Sequence, residues 1–240
     1  MRLGKDLDYL FAPESIAVIG ATPRKGTIGH QILANLVEYG FNGMVFPVNP
    51  KHKYIMSIKC YRSISEISDP VDLAVVVVPK EYVPAVAEEC GKKGVKALII
   101  ISAGFREIGG EGAKREEALQ ALKAKYGFRI IGPNCMGVIS TASDVRMNAT
   151  FAPCETESGS LAIMTQSGAL GVAILLSADK LNVGLSYFVS VGNKMDVSGD
   201  DLLAYWAEDQ RTKLIALYLE SFGEPRRFTQ LSKKITRHKP

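Results

Sequence analysis

Histidine is scarce in this chain. Only His30, His52 and His238 occur among 240 residues, which leaves few places for histidine-borne chemistry. Cysteine is sparse and scattered: Cys60, Cys90, Cys135 and Cys154 form no C-x-x-C pair. Neither structural zinc nor a disulfide framework is therefore expected, and a reducing cytoplasm fits. No apolar run approaches the length of a membrane span, and the opening stretch MRLGKDLDYLF lacks the apolar core of a signal peptide. Basic residues form no stripe interleaved with aromatic platforms, which argues against nucleic-acid binding. The net charge of +4 is spread along the chain, with a local excess after Pro225. The G-x-G-x-x-G of dinucleotide binders is absent as well.

What is present is enough apolar residue for a sizeable core, 47% hydrophobic against 22% charged, in a length that suits one large or two ordinary domains. The organising stretch is Ser15–Gly29. Ser15–Ile19 is a short β-branched run of the kind found in the buried strand of a parallel sheet. It breaks at Gly20 into the polar turn Thr22–Gly26, and helical spacing follows through Ile28, Ile32 and Leu36. Strand, glycine loop and helix together aim backbone N–H groups and a helix N-terminus at a phosphate, with Arg24 and Lys25 adding charge. A tight turn that binds nothing has the same local pattern.

Further runs alternate in the same way: strands at Met44–Val48, Leu73–Val78, Ala97–Ile101 and Phe128–Ile131, helices at Val83–Lys93 and Glu111–Tyr126, and a short connecting helix at Tyr61–Ile67. Such alternation predicts a doubly wound parallel sheet whose ligand loops follow the strands, around Gly20, Pro50, Pro79, Gly104 and Asn134. Where a nicotinamide binder carries an acidic residue after its second strand, this chain reads Asn49-Pro50-Lys51-His52-Lys53, which suits a phosphorylated ribose or simply a solvated turn. Between Ile139 and Gly159 the periodicity dissolves into small and polar residues, giving two expected domains, 1–140 and 141–240. The second restarts with strand Ser160–Met164 and helix Ala169–Lys180. It continues through strands Leu185–Val191 and Leu214–Leu219 and helices Gly199–Glu208 and Pro225–Thr236, and looks cut short at Pro240.

Ser167-Gly168 falls between strand and helix, as either an ordinary cap or an anion site. The surrounding Thr165-Gln166-Ser167-Gly168-Ala169 does not match the G-x-S-x-G of serine hydrolases. Glu220 ends an apolar strand, and Asn193, Lys194 and Asp196 follow a neighbouring one, so all four are expected to face one crevice.

Taken together, GATPRKGTIG, PVNPKHK, VDLAVVVVP, ISAGF, GPNCMG, TQSGALG, SVGNKMDVSGDDLL and LYLESFGEP resemble, in order and over nearly the whole chain, a known family. It is the α portion of the NDP-forming acyl-CoA synthetases, the ADP-forming acetate–CoA ligases related to succinyl-CoA synthetase. The resemblance implies a Rossmann-like CoA-binding domain followed by a flavodoxin-like, succinyl-CoA synthetase-like α/β domain. It places Gly20, Thr22, Arg24 and Gly26 at the CoA diphosphate, and Pro50 with Lys51 or Lys53 at the adenosine and its phosphate. Val78, Pro79, Ser102 and Gly104 would flank the CoA arm, with Asn134 and Cys135 at the thioester end. Cys135 as a covalent nucleophile is an alternative that the family chemistry does not need.

The helix at Ser167-Gly168, with Gln166, would hold phosphate, Glu220 would orient a phosphorylated histidine, and Asn193 and Asp196 would border the same site. The implied reaction interconverts acyl-CoA, phosphate and ADP with acid, CoA and ATP through acyl phosphate. The implied partner is an ATP-grasp subunit or fused domain that binds ADP or ATP with Mg2+. No histidine of this chain stands at the position of the family's phosphorylated one, so turnover by this chain alone is not expected. A CoA-binding module without turnover is the competing reading, and a nicotinamide oxidoreductase a remote third.

Overall fold

The computed structural model describes residues 7–240; the opening residues of the stretch read for a leader, 1–6, lie outside the described residues. The chain begins with α1 (Asp8–Phe11), β1 (Ser15–Ile19), α2 (Ile28–Glu38) and β2 (Met44–Val48). A small hairpin, β3 (Tyr54–Ile55) and β4 (Ile58–Lys59), precedes β5 (Leu73–Val76), α3 (Val83–Lys93), β6 (Ala97–Ile100), α4 (Gly110–Tyr126) and β7 (Arg129–Ile131). Strands β1, β2, β5, β6 and β7 form one parallel sheet in the order β2-β1-β5-β6-β7. The direction of winding reverses between β1 and β5, which opens a crevice beyond their carboxyl ends. All five residues of β1 are buried. Its one polar side chain, Ser15, accepts a hydrogen bond from the Asp72 N–H at 3.0 Å, so burial leaves nothing unpaired there.

The expected helix at Tyr61–Ile67 is only a 3-10 turn at Ile64–Glu66. Tyr61 itself is drawn against the sheet, donating its N–H to Pro47 O and accepting from Asn49 N–H.

The stretch read as losing its periodicity, Ile139–Gly159, holds the end of strand β8 (Gly137–Ser140) and all of β9 (Met147–Thr150), every residue of which is buried. They join β10 (Ser158–Thr165), β11 (Leu185–Ser190) and β12 (Leu214–Tyr218) in a second sheet of order β12-β10-β11-β8-β9. Helices α5 (Gly168–Lys180), α6 (Gly199–Glu208) and α7 (Pro225–Ile235) complete it. The polar letters of β9 misled because they satisfy one another. Asn148 Oδ1 accepts from the Thr150 hydroxyl at 2.7 Å, and Asn35 of α2 donates to the carbonyls of Thr150 and Ala152 at 2.8 and 2.9 Å.

One face of each sheet contributes to a single apolar core. Ile16, Val18 and Val75 of the first are continuous with Met147, Met164 and Tyr187 of the second and with Trp206 of α6. The opposite face of the first sheet packs under α3 and α4, and that of the second packs around Leu175 of α5. A second seam runs along β7. Met195 N–H donates to Gly132 O and Val197 N–H to Ile130 O, while Ile130 N–H donates to the Asp196 carboxylate at 2.8 Å. The segment after β11 thus lies along the outer edge of the first sheet.

Candidate functional site

At the reversal point the Gly20 turn is fixed by close approach. A Cβ on Gly20, whose φ is +97°, would lie 2.2 Å from Val77 O, and one on Gly29 the same distance from Gly20 O. Helix α2 therefore starts directly against the turn. Thr27, its N-cap residue, donates its hydroxyl to Arg24 O at 2.7 Å and makes no side-chain cap, leaving the first-turn N–H groups uncapped. Arg24 N–H in turn donates to Thr22 Oγ1 at 3.2 Å, so the loop closes on itself.

Two clefts adjoin at the wall Val77–Pro79. The first, about 600 Å³, opens beside Gly20, Pro50 and Lys51, with Asn49, Arg62 and Tyr82 completing it. The second, about 490 Å³, carries Ser102, Asn134, Cys135, Gln166 and Gly168 around the same Val78-Pro79. Both lie in the size range of small-molecule sites, about 300–1,000 Å³, and both are walled mainly by apolar groups. The second joins the strand ends of one sheet to the β10–α5 junction of the other. There Ser167 caps α5 by accepting from Leu170 N–H at 3.3 Å. A Cβ on Gly168 would meet no heavy atom within 4 Å, so room remains in front of the helix N-terminus.

The structure thus brings Gly20, Pro50, Lys51, Val78 and Pro79 together, and Ser102, Asn134, Cys135, Gln166 and Gly168 together, along one groove. Thr22, Arg24 and Gly26 form the loop beside it rather than its lining. Lys53 is set back in the hairpin, its carbonyl accepting from Cys60 N–H at 2.8 Å. Gly104 is turned onto Glu107, which accepts its N–H at 2.5 Å. Glu220 is exposed; its N–H and that of Ser221 are held by Gln166 Oε1 at 2.9 and 3.1 Å.

Asp196 turns away from the Glu220 turn, and Asn193 stands between Glu107 and Asn134. Asn193 reaches across to Glu107 at 2.6 Å. Asp196 is buried against the first sheet, where it receives Arg129 Nε at 2.9 Å and Lys123 Nζ at 2.8 Å. Burial pushes the Asp196 carboxyl up, but the Arg129 and Lys123 hydrogen bonds, the Arg129 charge and the Ile130 N–H outweigh it and hold the group below the usual carboxylate range. Lys194 instead faces the Glu220 turn, donating to Ser221 O at 2.6 Å.

Cys135 is packed beneath the second cleft with Sγ 3.2 Å from Ile100 O, and burial pushes its thiol up to about 12. Burial and a thiol held away from ionisation both argue against the covalent-nucleophile alternative. Arg62 and Tyr82 were not legible in the sequence. Arg62 reaches the first cleft only because Tyr61 pairs alongside β2, through a hairpin whose two-residue strands carry no periodicity.

A parallel sheet with a groove at its reversal point, running into the helix N-terminus of a second α/β unit, is the arrangement in which open α/β sheets hold phosphate-bearing ligands. The chain belongs to the CoA binding domain family, which matches residues 14–141. Residues 158–240 match the succinyl-CoA ligase like flavodoxin domain. Among curated relatives, the chain is 47% identical to the acetate–CoA ligase [ADP-forming] I subunit alpha of Pyrococcus furiosus, over 98% of this chain and 51% of that one. It is 45% identical to the acetate–CoA ligase [ADP-forming] of Methanocaldococcus jannaschii, over 98% of this chain and 32% of that one. A solved structure of the dinucleotide-forming acetyl-coenzyme A synthetase 1 of Candidatus Korarchaeum cryptofilum, in complex with phosphate and ADP, superposes with a TM-score of 0.93. Its identity is 42%, covering 98% of this chain and 50% of that one. The chain spans a third to a half of the length of these relatives. Among the described residues, no helix is long and apolar enough to cross a membrane.

Proposed function

We propose that this chain supplies the CoA-binding part of an NDP-forming acid–CoA ligase, which interconverts acyl-CoA, phosphate and ADP with a carboxylic acid, CoA and ATP. The observation that carries the reading is the pair of adjoining clefts along Val77–Pro79, one holding Lys51 and Arg62 with Glu89 and the other opening on a helix N-terminus. CoA fits such a groove by its chemistry. Lys51 and Arg62 would take the ribose phosphate, the uncapped start of α2 the diphosphate, and the apolar wall the pantetheine arm, leaving the thiol near Asn134. Phosphate would sit before α5, where the N–H groups and helix dipole stabilise an anion.

In this reading residues 1–140 form the CoA domain and 141–240 the domain that carries the phosphate site. Glu220 stands on a turn held by Gln166 and Lys194, where it can orient a phosphorylated histidine supplied from outside this chain. A partner ATP-grasp subunit or fused domain would bring ADP or ATP with Mg2+.

The test is calorimetric titration of the chain with CoA, dephospho-CoA and NAD. Binding of CoA, weaker binding of dephospho-CoA and none of NAD is expected. Binding of NAD without CoA would overturn the proposal.

A further inference from the structure

Glu107 lines neither cleft, yet its carboxylate closes a ring of hydrogen bonds that joins three loops around Asn134. Oε1 accepts Gly104 N–H at 2.5 Å, and Oε2 accepts Phe105 N–H at 3.1 Å and Asn193 Nδ2 at 2.6 Å. Asn193 Nδ2 also donates to Glu116 Oε2 at 3.2 Å, and Glu116, 1% exposed, is itself held by Arg106 at 2.9 Å. On its other side Asn193 Oδ1 accepts from Asn134 Nδ2 at 3.4 Å. Backbone bonds complete the ring, from Asn193 N–H to Pro133 O at 2.9 Å and from Asn134 N–H to Ser102 O at 3.0 Å.

The polarity of these contacts is one-directional. An ionised carboxylate only accepts, so two carboxylates on one amide nitrogen decide which way the Asn193 amide is turned. Its oxygen is then the atom offered to Asn134, and that oxygen also only accepts. Asn134 therefore gives its NH2 to Asn193, a bond that leaves its side-chain oxygen as an acceptor on a residue that lines the second cleft. We propose that Glu107 is a positioning residue for the arm of the bound CoA. Acting through Asn193, it sets the Asn134 amide with its oxygen as the acceptor for an N–H donor on that arm. The inference rests on the CoA reading above and adds to it a residue of the first domain that acts through one of the second.

The experiment compares CoA with adenosine 3′,5′-bisphosphate, which has the phosphorylated adenosine but no arm, by calorimetry. Glu107→Gln is nearly isosteric but turns an acceptor into a donor facing another donor. It is expected to weaken CoA about fivefold, the worth of one neutral hydrogen bond, and leave the bisphosphate unchanged. Asn193→Ala should do the same, and the double variant should lose no more than either single one. Equal losses for both ligands, unchanged CoA affinity, or additive losses in the double variant would each overturn the proposal. If the unaltered protein binds neither ligand, the CoA reading itself falls, a result separate from those three.

Discussion

Asp196→Ala tests how firmly the two sheets are joined. The Asp196 side chain is 5% exposed and receives Arg129 Nε at 2.9 Å, Arg129 Nη2 at 3.2 Å, Lys123 Nζ at 2.8 Å and Ile130 N–H at 2.8 Å. Arg129 is 16% exposed and Lys123 37%, so water can replace the carboxylate at the lysine but poorly at the guanidinium. Removing one partner of a buried pair costs about 3–5 kcal/mol, and the partial exposure of Lys123, with the Asp201 carboxylate 3.9 Å from Arg129, puts the expected loss at the lower end, about 3 kcal/mol. That is a large fraction of the stability of an ordinary domain. Trp206, the one tryptophan and fully buried, reports the transition in a urea titration followed by fluorescence.

The pH dependence has a definite sign. The folded carboxyl titrates below its unfolded value of about 3.9, so its contribution is complete above that pH and is lost as the pH falls through the folded value. The gap between wild type and variant should therefore be constant from pH 5 to 7 and shrink below about pH 4. A loss under about 1 kcal/mol at pH 7, or a gap that widens in acid, would refute the assignment of Asp196 as the interdomain tie.

Cys135, with its thiol near 12, is expected to be about one part in ten thousand thiolate at pH 8, so the half-buried Cys154 should alkylate first in the folded protein. Equal labelling rates by peptide mass mapping would contradict that. Arg62→Ala and Lys51→Ala should each narrow the difference between CoA and dephospho-CoA affinity, whereas Lys53→Ala should not. A narrowing by the Lys53 variant would move the phosphate contact into the hairpin. Gly168→Trp should fold, since a Cβ there meets no heavy atom within 4 Å, and should abolish phosphate binding measured by calorimetry. Retained phosphate affinity would remove the α5 N-terminus from the site.

The sheet that carries the groove could be read from letters because its strands are mostly apolar runs, several of them stopped by glycine or proline. Ser15–Ile19 and Met44–Val48 fall where expected, as do the helices Val83–Lys93 and Gly199–Glu208. Strands β8 and β9 could not be read so, since Asn148 and Thr150 look like loop residues until their mutual hydrogen bond and the reach of Asn35 are known. The candidate site divides in the same way. Positions defined by local backbone, such as Gly20, Pro79 and Asn134, announce themselves at strand ends. Arg62 and the Glu107–Asn193 contact depend on segments distant in sequence, 86 residues apart in the second case, and no local pattern encodes them.

The segment that follows β11 has a consequence for how the first domain could exist by itself. An open sheet edge offers unpaired N–H and C=O groups to any other extended chain, and proteins guard such edges. Here the guard of β7 is lent by the second domain, whose Met195 and Val197 occupy the carbonyls of Gly132 and Ile130 while Asp196 takes the Ile130 N–H. Separated from the second sheet, the first would lose Gln166 and Gly168 from its second cleft and expose a ready template for self-association. The pair is therefore the smallest unit expected to keep that edge covered.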